Sequence, residues 1–261
     1  MSKRVRYIIS SLLSGVAFYF YINLPYESQY YGLLVGIVLI AFCFWFGLGI
    51  TFGQSLYTRL MSIILPVGFF VGFALFTTLL PQSLLIMLFL SAFFALIIYI
   101  MFLVGNVFLV SIGSRMPPLY RSAYTVGFML LLITSFFLFN SLFSFRFTYW
   151  LNAILVFVIS ALIFLYLFYS VTIELVDDGA DKPMWYYVLV PSFLLAQLSL
   201  VLSFWPVGIL KGSIYLVAII YVISSLMQME LRDRLFKRSW FTFVWIFIAI
   251  VLGMIFTTSW R

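Results

Sequence analysis

The sequence predicts an all-α fold: a polytopic transmembrane helical bundle of about nine spans, N-terminus in the cytoplasm and C-terminus outside. Three observations predict it. First, 66% of the 261 residues are hydrophobic and 8% are charged, with a mean hydropathy of +1.23. Soluble domains carry about 25% charged residues, so the apolar excess must face lipid. Second, the apolar residues fall into runs long enough to cross roughly 30 Å of hydrocarbon, separated by short polar or proline-bearing turns. No long alternating polar/apolar strands accompany them, which favours helices over a barrel. Third, most basic residues fall in alternate turns, as expected when positive charge is retained on the cytoplasmic side.

The first span, residues 7–24, follows Lys3, Arg4 and Arg6. Its apolar stretch of about 18 residues is longer than the core of a cleaved signal peptide. Pro25-Tyr26-Glu27-Ser28-Gln29 follows it in place of a small-x-small cleavage site, so the span is expected to be retained. Span two (31–52) holds Gly32-x-x-x-Gly36 and span three (60–80) holds Gly68-x-x-x-Gly72. Such pairs put small residues on one helix face, where backbones approach closely.

Span four is placed at 84–108, but the run stays apolar to about Ile112. At about 1.5 Å per residue, a straight perpendicular helix of that length overshoots the hydrocarbon. It is therefore expected to tilt or to break at Gly105-Asn106, and Pro117-Pro118 to end any helix before span five, 122–143. The turn 144–149 is short, so spans five and six (150–171) are expected to be antiparallel neighbours. The next linker, 172–184, carries Glu174, Asp177, Asp178 and Asp181 without the alternating Asp-x-Asp-x-Asp-Gly spacing that wraps calcium, and reads as a solvated turn. Spans seven, eight and nine are placed at 185–205, 212–229 and 240–259. Between the last two, Glu230 precedes Arg234 by four and Asp233 precedes Lys237 by four, which predicts at least partial helix at the membrane surface. No linker is long enough for a soluble domain, so residues 1–261 read as one integral membrane domain.

Nine spans put eleven of the fourteen basic residues in the cytoplasm: Lys3, Arg4, Arg6, Arg59, Arg115, Arg121, Lys182, Arg232, Arg234, Lys237 and Arg238. Arg146, Lys211 and Arg261 fall outside. One span more or fewer would misplace the later basic turns. Trp150, Trp185, Trp205, Trp240 and Trp260 lie at span ends, with tyrosines such as Tyr30, Tyr149 and Tyr186 beside them, as ring-and-donor side chains prefer at headgroup depth. The expected location is the plasma (cytoplasmic) membrane.

The chain has no histidine and one cysteine, Cys43. That removes the usual haem ligand, the commonest zinc ligand and the commonest general base. It contains no Gly-x-Ser-x-Gly, phosphate-loop or Cys-x-x-Cys motif. No catalytic residue, cofactor or metal is expected. The net charge of +7 is scattered among turns, so no nucleic-acid partner is expected either.

A charge near the bilayer centre costs at least about 2.5–3.5 kcal/mol and is usually kept for ion coupling. No predicted span has one there, and Gln197 is the deepest strongly polar side chain. Three groups of residues are candidate contacts. Asn140, Arg146 and Asn152 flank the outer turn between spans five and six, where a guanidinium and two amides suit a lipid phosphate. Asn106, Arg115, Arg121 and Glu174 form a candidate polar cluster at the cytoplasmic face. Pro66, Pro191 and Gln197 mark a candidate hinge or cavity. Pro66 and Pro81 share their spacing with Pro191 and Pro206, which suggests a parallel repeat relating spans two to five with spans six to nine.

The leading expectation is a non-enzymatic lipid- or protein-binding structural or assembly component. Its partners would be membrane lipids, another membrane protein or itself. A small-molecule or lipid transporter built on the repeat is the alternative. A lipid-modifying enzyme, which would need convergent ionisable side chains at one membrane face, comes third.

Overall fold

The computed structural model describes residues 3–49, 56–81, 83–113, 117–175, 183–232 and 237–258. Those residues form nine α-helices and no strand: α1 (Lys3–Ile22), α2 (Tyr26–Leu48), α3 (Leu56–Thr77), α4 (Leu84–Gly113), α5 (Pro117–Ser144), α6 (Tyr149–Leu175), α7 (Met184–Phe204), α8 (Ile209–Leu231) and α9 (Lys237–Thr257). All nine are long and apolar enough to cross a membrane. Each expected span overlaps one helix, in order, and the all-α, multi-span fold class is the one the sequence predicts.

The differences lie at helix ends. α5 begins at Pro117, where the sequence reading expected prolines only to end a helix. Proline's fixed φ suits a first helical turn, and the N–H it lacks has no partner there anyway. α4 runs unbroken through Gly105-Asn106, so the expected break is absent. Its 30 residues reach about 45 Å, well beyond a perpendicular crossing. α8 stops at Leu231 with Arg232 as its C-cap, and α9 starts at Lys237. Asp233 and Arg234 lie outside the described residues, and with them both expected charge pairs. Arg115, the acidic residues 177, 178 and 181, Lys182 and Arg261 do so as well.

The chain forms two compact units, Met1–Leu138 and Phe139–Arg261, divided within α5. In unit 1, α1 packs on α2, α3 and α4, while α2 and α4 also contact α3. Lipid is as apolar as leucine, so helices associate here through close packing. The core is aromatic: Phe18, Phe69, Phe70, Phe73 and Phe94 are all fully buried or nearly so. Phe18 stacks on Phe94 with centroids 4.4 Å apart, and Phe137 of α5 meets Phe73 edge-on at 5.0 Å. Such pairs are each worth about 0.5–1.5 kcal/mol beyond their buried area. A Cβ on Gly72 would lie 2.9 Å from the backbone nitrogen of Leu138, so this glycine lets α3 and α5 approach backbone to backbone. The Gly68/Gly72 face is thus the α5 seat, and the Gly36 face receives the Phe70 ring.

In unit 2, α6 packs extensively on α7, α8 touches both, and α9 packs on α8. Buried serines replace bulky side chains along these seams. Ser160, Ser192 and Ser213 each donate to the carbonyl four residues back, at 2.6, 2.6 and 2.9 Å, so their hydroxyls are satisfied within their own helices. α9 is the least buried of the nine helices, with Trp245 and Phe256 openly exposed.

Candidate functional site

One end of unit 2 gathers the last turn of α5, the start of α6, the end of α7 and the start of α8. α5 closes with Phe145 and Arg146 donating their backbone N–H groups to Leu142 and Phe143, both at 3.3 Å. Arg146 sits at φ 49°, in the left-handed region, and reverses the chain toward α6. The first turn of α6 is pinned by Asn152, whose backbone N–H donates to the Thr148 carbonyl at 2.9 Å and whose Nδ2 donates to the Phe147 carbonyl at 3.3 Å. The α7–α8 turn is held by Trp205, which donates its indole N–H to Thr258 Oγ1 at 2.9 Å. Lys211 donates to the Thr257 carbonyl at 2.7 Å, and Tyr215 hydrogen-bonds Thr257 Oγ1.

Between these two turns lies a cleft of ≈ 400 Å³. Phe143, Phe147, Tyr149, Phe204 and Trp205 supply its aromatic lining, and Tyr149 and Phe204 stand 5.2 Å apart. Gly208 and Gly212 leave it room on the α8 side: nothing lies within 4 Å of a Cβ at Gly208. Among the described residues, no acidic side chain lines it.

The starts of two helices bring backbone donors to the cleft lining. The first N–H groups of a helix have no intrahelical acceptor and carry the positive end of its dipole. α6 and α8 both begin in the cleft lining, and the α8 N-cap, Gly208, makes no side-chain capping bond. Arg146 is exposed one residue before the lining residue Phe147. Asn152 also lines the cleft and is only 7% exposed. Its Nδ2 is spent on Phe147, and its buried Oδ1 has no donor. A buried amide carbonyl left unpaired is costly, and such a group in a native fold calls for an explanation.

The three candidates at the α5–α6 turn therefore differ in surroundings: Asn140 and Asn152 are buried, whereas Arg146 is exposed on the turn between them. Of the polar-cluster candidates, Asn106 accepts a hydrogen bond from Tyr7 Oη at 2.8 Å within unit 1. Arg121 is exposed on α5, Arg115 lies outside the described residues, and Glu174 is described only as part of the α6 backbone. Pro66 and Pro191 are buried inside α3 and α7 without ending either helix. Gln197 is exposed on α7.

Sequence reasoning missed the α7–α8 half of the cleft. A topological signal was present: in an up-and-down bundle the 144–149 turn and the turn holding Trp205 and Gly208 fall on the same side. Sequence reasoning also missed the anchoring of α1, where Arg6 Nε donates to the Gly47 carbonyl at 2.7 Å. At the far end of unit 2, Tyr187 Oη donates to Glu230 Oε1 at 3.2 Å. Among the described residues, no group of three or more His, Cys, Asp or Glu is placed to hold a metal.

The family described as a protein of unknown function (DUF5656) matches the chain over residues 50–258, a span that includes the whole cleft. No curated protein and no solved structure matches it.

Proposed function

We propose that this chain, which belongs to the DUF5656 family, is a non-enzymatic integral membrane protein that binds the headgroup of an anionic phospholipid in the unit 2 cleft. One observation carries the reading: α6 and α8 both begin in the lining of an aromatic cleft that has no acidic residue among those described. Peptide N–H groups at helix starts are ready donors to phosphate oxygens, and aromatic rings at span ends suit the boundary between headgroup and acyl chain. Asn152, whose Oδ1 is buried without a hydrogen-bond partner, stands among the residues that line this cleft.

Among the described residues the cleft lining holds no thiol, carboxylate or imidazole for chemistry on the bound lipid, which favours a structural or assembly role over a lipid-modifying one. With the N-terminus in the cytoplasm, the cleft faces the outer leaflet of the plasma membrane. Arg146 then supplies charge where the insertion bias disfavours it, and lipid phosphate is the anion abundant there.

Purification in mild detergent followed by mass measurement of retained lipid tests the reading. Arg146→Gln should lower retained anionic phospholipid about fivefold, the weight of one basic residue at a membrane surface. Arg261→Gln should leave it unchanged. Equal retention in the two variants contradicts the reading.

A further inference from the structure

α7 turns one face away from the rest of unit 2, except at its last residue, Phe204, whose ring also meets Tyr149 at the cleft. Its buried side, which includes Val188, Ser192, Leu195 and Ser199, serves the packing on α6 and α8. The opposite side carries Tyr186, Val190, Phe193, Gln197, Val201 and Phe204, whose apolar members are 43–74% exposed. At about 100° per residue, the five apolar side chains lie within about 40° of Gln197 around the helix. Gln197 is exposed too, and it makes no hydrogen bond to any described residue. Seven residues before the end of α7, it lies about 10 Å inside the helix, within the hydrocarbon.

A primary amide at that depth has two donors and an acceptor and no water to satisfy them. Lipid tails offer no partner. Another membrane protein would need a matching polar group at the same depth, whereas a second copy of this chain carries one there by construction. An amide is also its own complement: across a two-fold axis along the bilayer normal, each Gln197 Nε2 donates to the other's Oε1. Val190, Gln197 and Phe204 recur every seven residues, the spacing of one position in a helix-pairing seam. A single polar residue at such a position sets register and copy number.

We propose that the α7 face centred on Gln197 is a dimer interface, and that its partner is the same face of a second copy of this chain.

The test uses the full chain, fluorescently labelled and reconstituted in neutral lipid, so that the anionic lipid site plays no part. Dimer fraction is followed by single-molecule photobleaching as protein density is varied. Wild type should dimerise reversibly. Gln197→Leu should weaken association about tenfold, two interhelical hydrogen bonds being lost together, and Gln197→Asn should keep most of it. In a Cys43→Ser background, Val190→Cys should form an interchain disulfide and Ala196→Cys, buried in the bundle, should not. A wild type that stays monomeric at every density overturns the proposal. So does a Gln197→Leu chain that dimerises as tightly as wild type, or equal cross-linking at the two cysteine positions.

Discussion

Arg146 holds a backbone conformation that its own side chain disfavours. A φ of 49° brings Cβ toward the carbonyl and costs a non-glycine residue roughly 1–2 kcal/mol. Glycine would meet the turn without that cost, so the arginine is kept against local stability, as at sites where a side chain has work to do. Arg146→Gly should therefore raise the unfolding free energy in detergent by about 1 kcal/mol while lowering retained anionic lipid. A variant that is no more stable, or that retains lipid as wild type does, removes the argument. That Asn140, Arg146 and Asn152 fall at or beside the turn between α5 and α6 was legible in the sequence, because that turn is short and lies between two long apolar runs. Their roles were not legible. Asn152 shares its cleft with Phe204 and Trp205, more than fifty residues later in the chain, a neighbourhood that no local pattern announces.

The existence and order of the helices were legible at the scale of elements, since apolar length acts locally, whereas helix starts and stops depart from the expected span ends by up to five residues. Partner choice was not legible. The Gly68-x-x-x-Gly72 spacing marks a face, but only the structure distinguishes its members. A Cβ at Gly68 meets Thr134 Cγ2 at 3.5 Å, an ordinary contact, whereas one at Gly72 meets the Leu138 backbone at 2.9 Å. Backbone cannot yield as a flexible side chain can. Gly72→Ala should cost about 1–3 kcal/mol through overpacking and Gly68→Ala within about 0.5 kcal/mol, both read from thermal unfolding in detergent. Equal effects would mean that α3 and α5 are not held this closely. Likewise, the expectation that span four would tilt or break at Gly105-Asn106 rested on length alone. The Tyr7 hydroxyl instead gives the Asn106 side chain a partner while α4 continues unbroken past it.

The number and order of spans in the whole molecule followed from composition, because 66% hydrophobic residues have nowhere to go but lipid and mutual contact. The division at Leu138 and Phe139 inside α5 did not, since it reflects where side chains pack rather than any break in hydropathy. Orientation follows from basic charge: the N-terminus should be cytoplasmic and the C-terminus outside, with reporter fusions active accordingly at residue 1 and residue 261. A cytoplasmic C-terminal reporter would contradict nine crossings and would turn the cleft toward the wrong leaflet for Arg146.

The most direct measurement is an experimental structure in bilayer discs containing anionic phospholipid. An ordered headgroup should lie between the starts of α6 and α8, beside Asn152 and Arg146, its acyl chains continuing into the membrane. A cleft without lipid, or one holding only a free anion with no chains attached, would contradict the account.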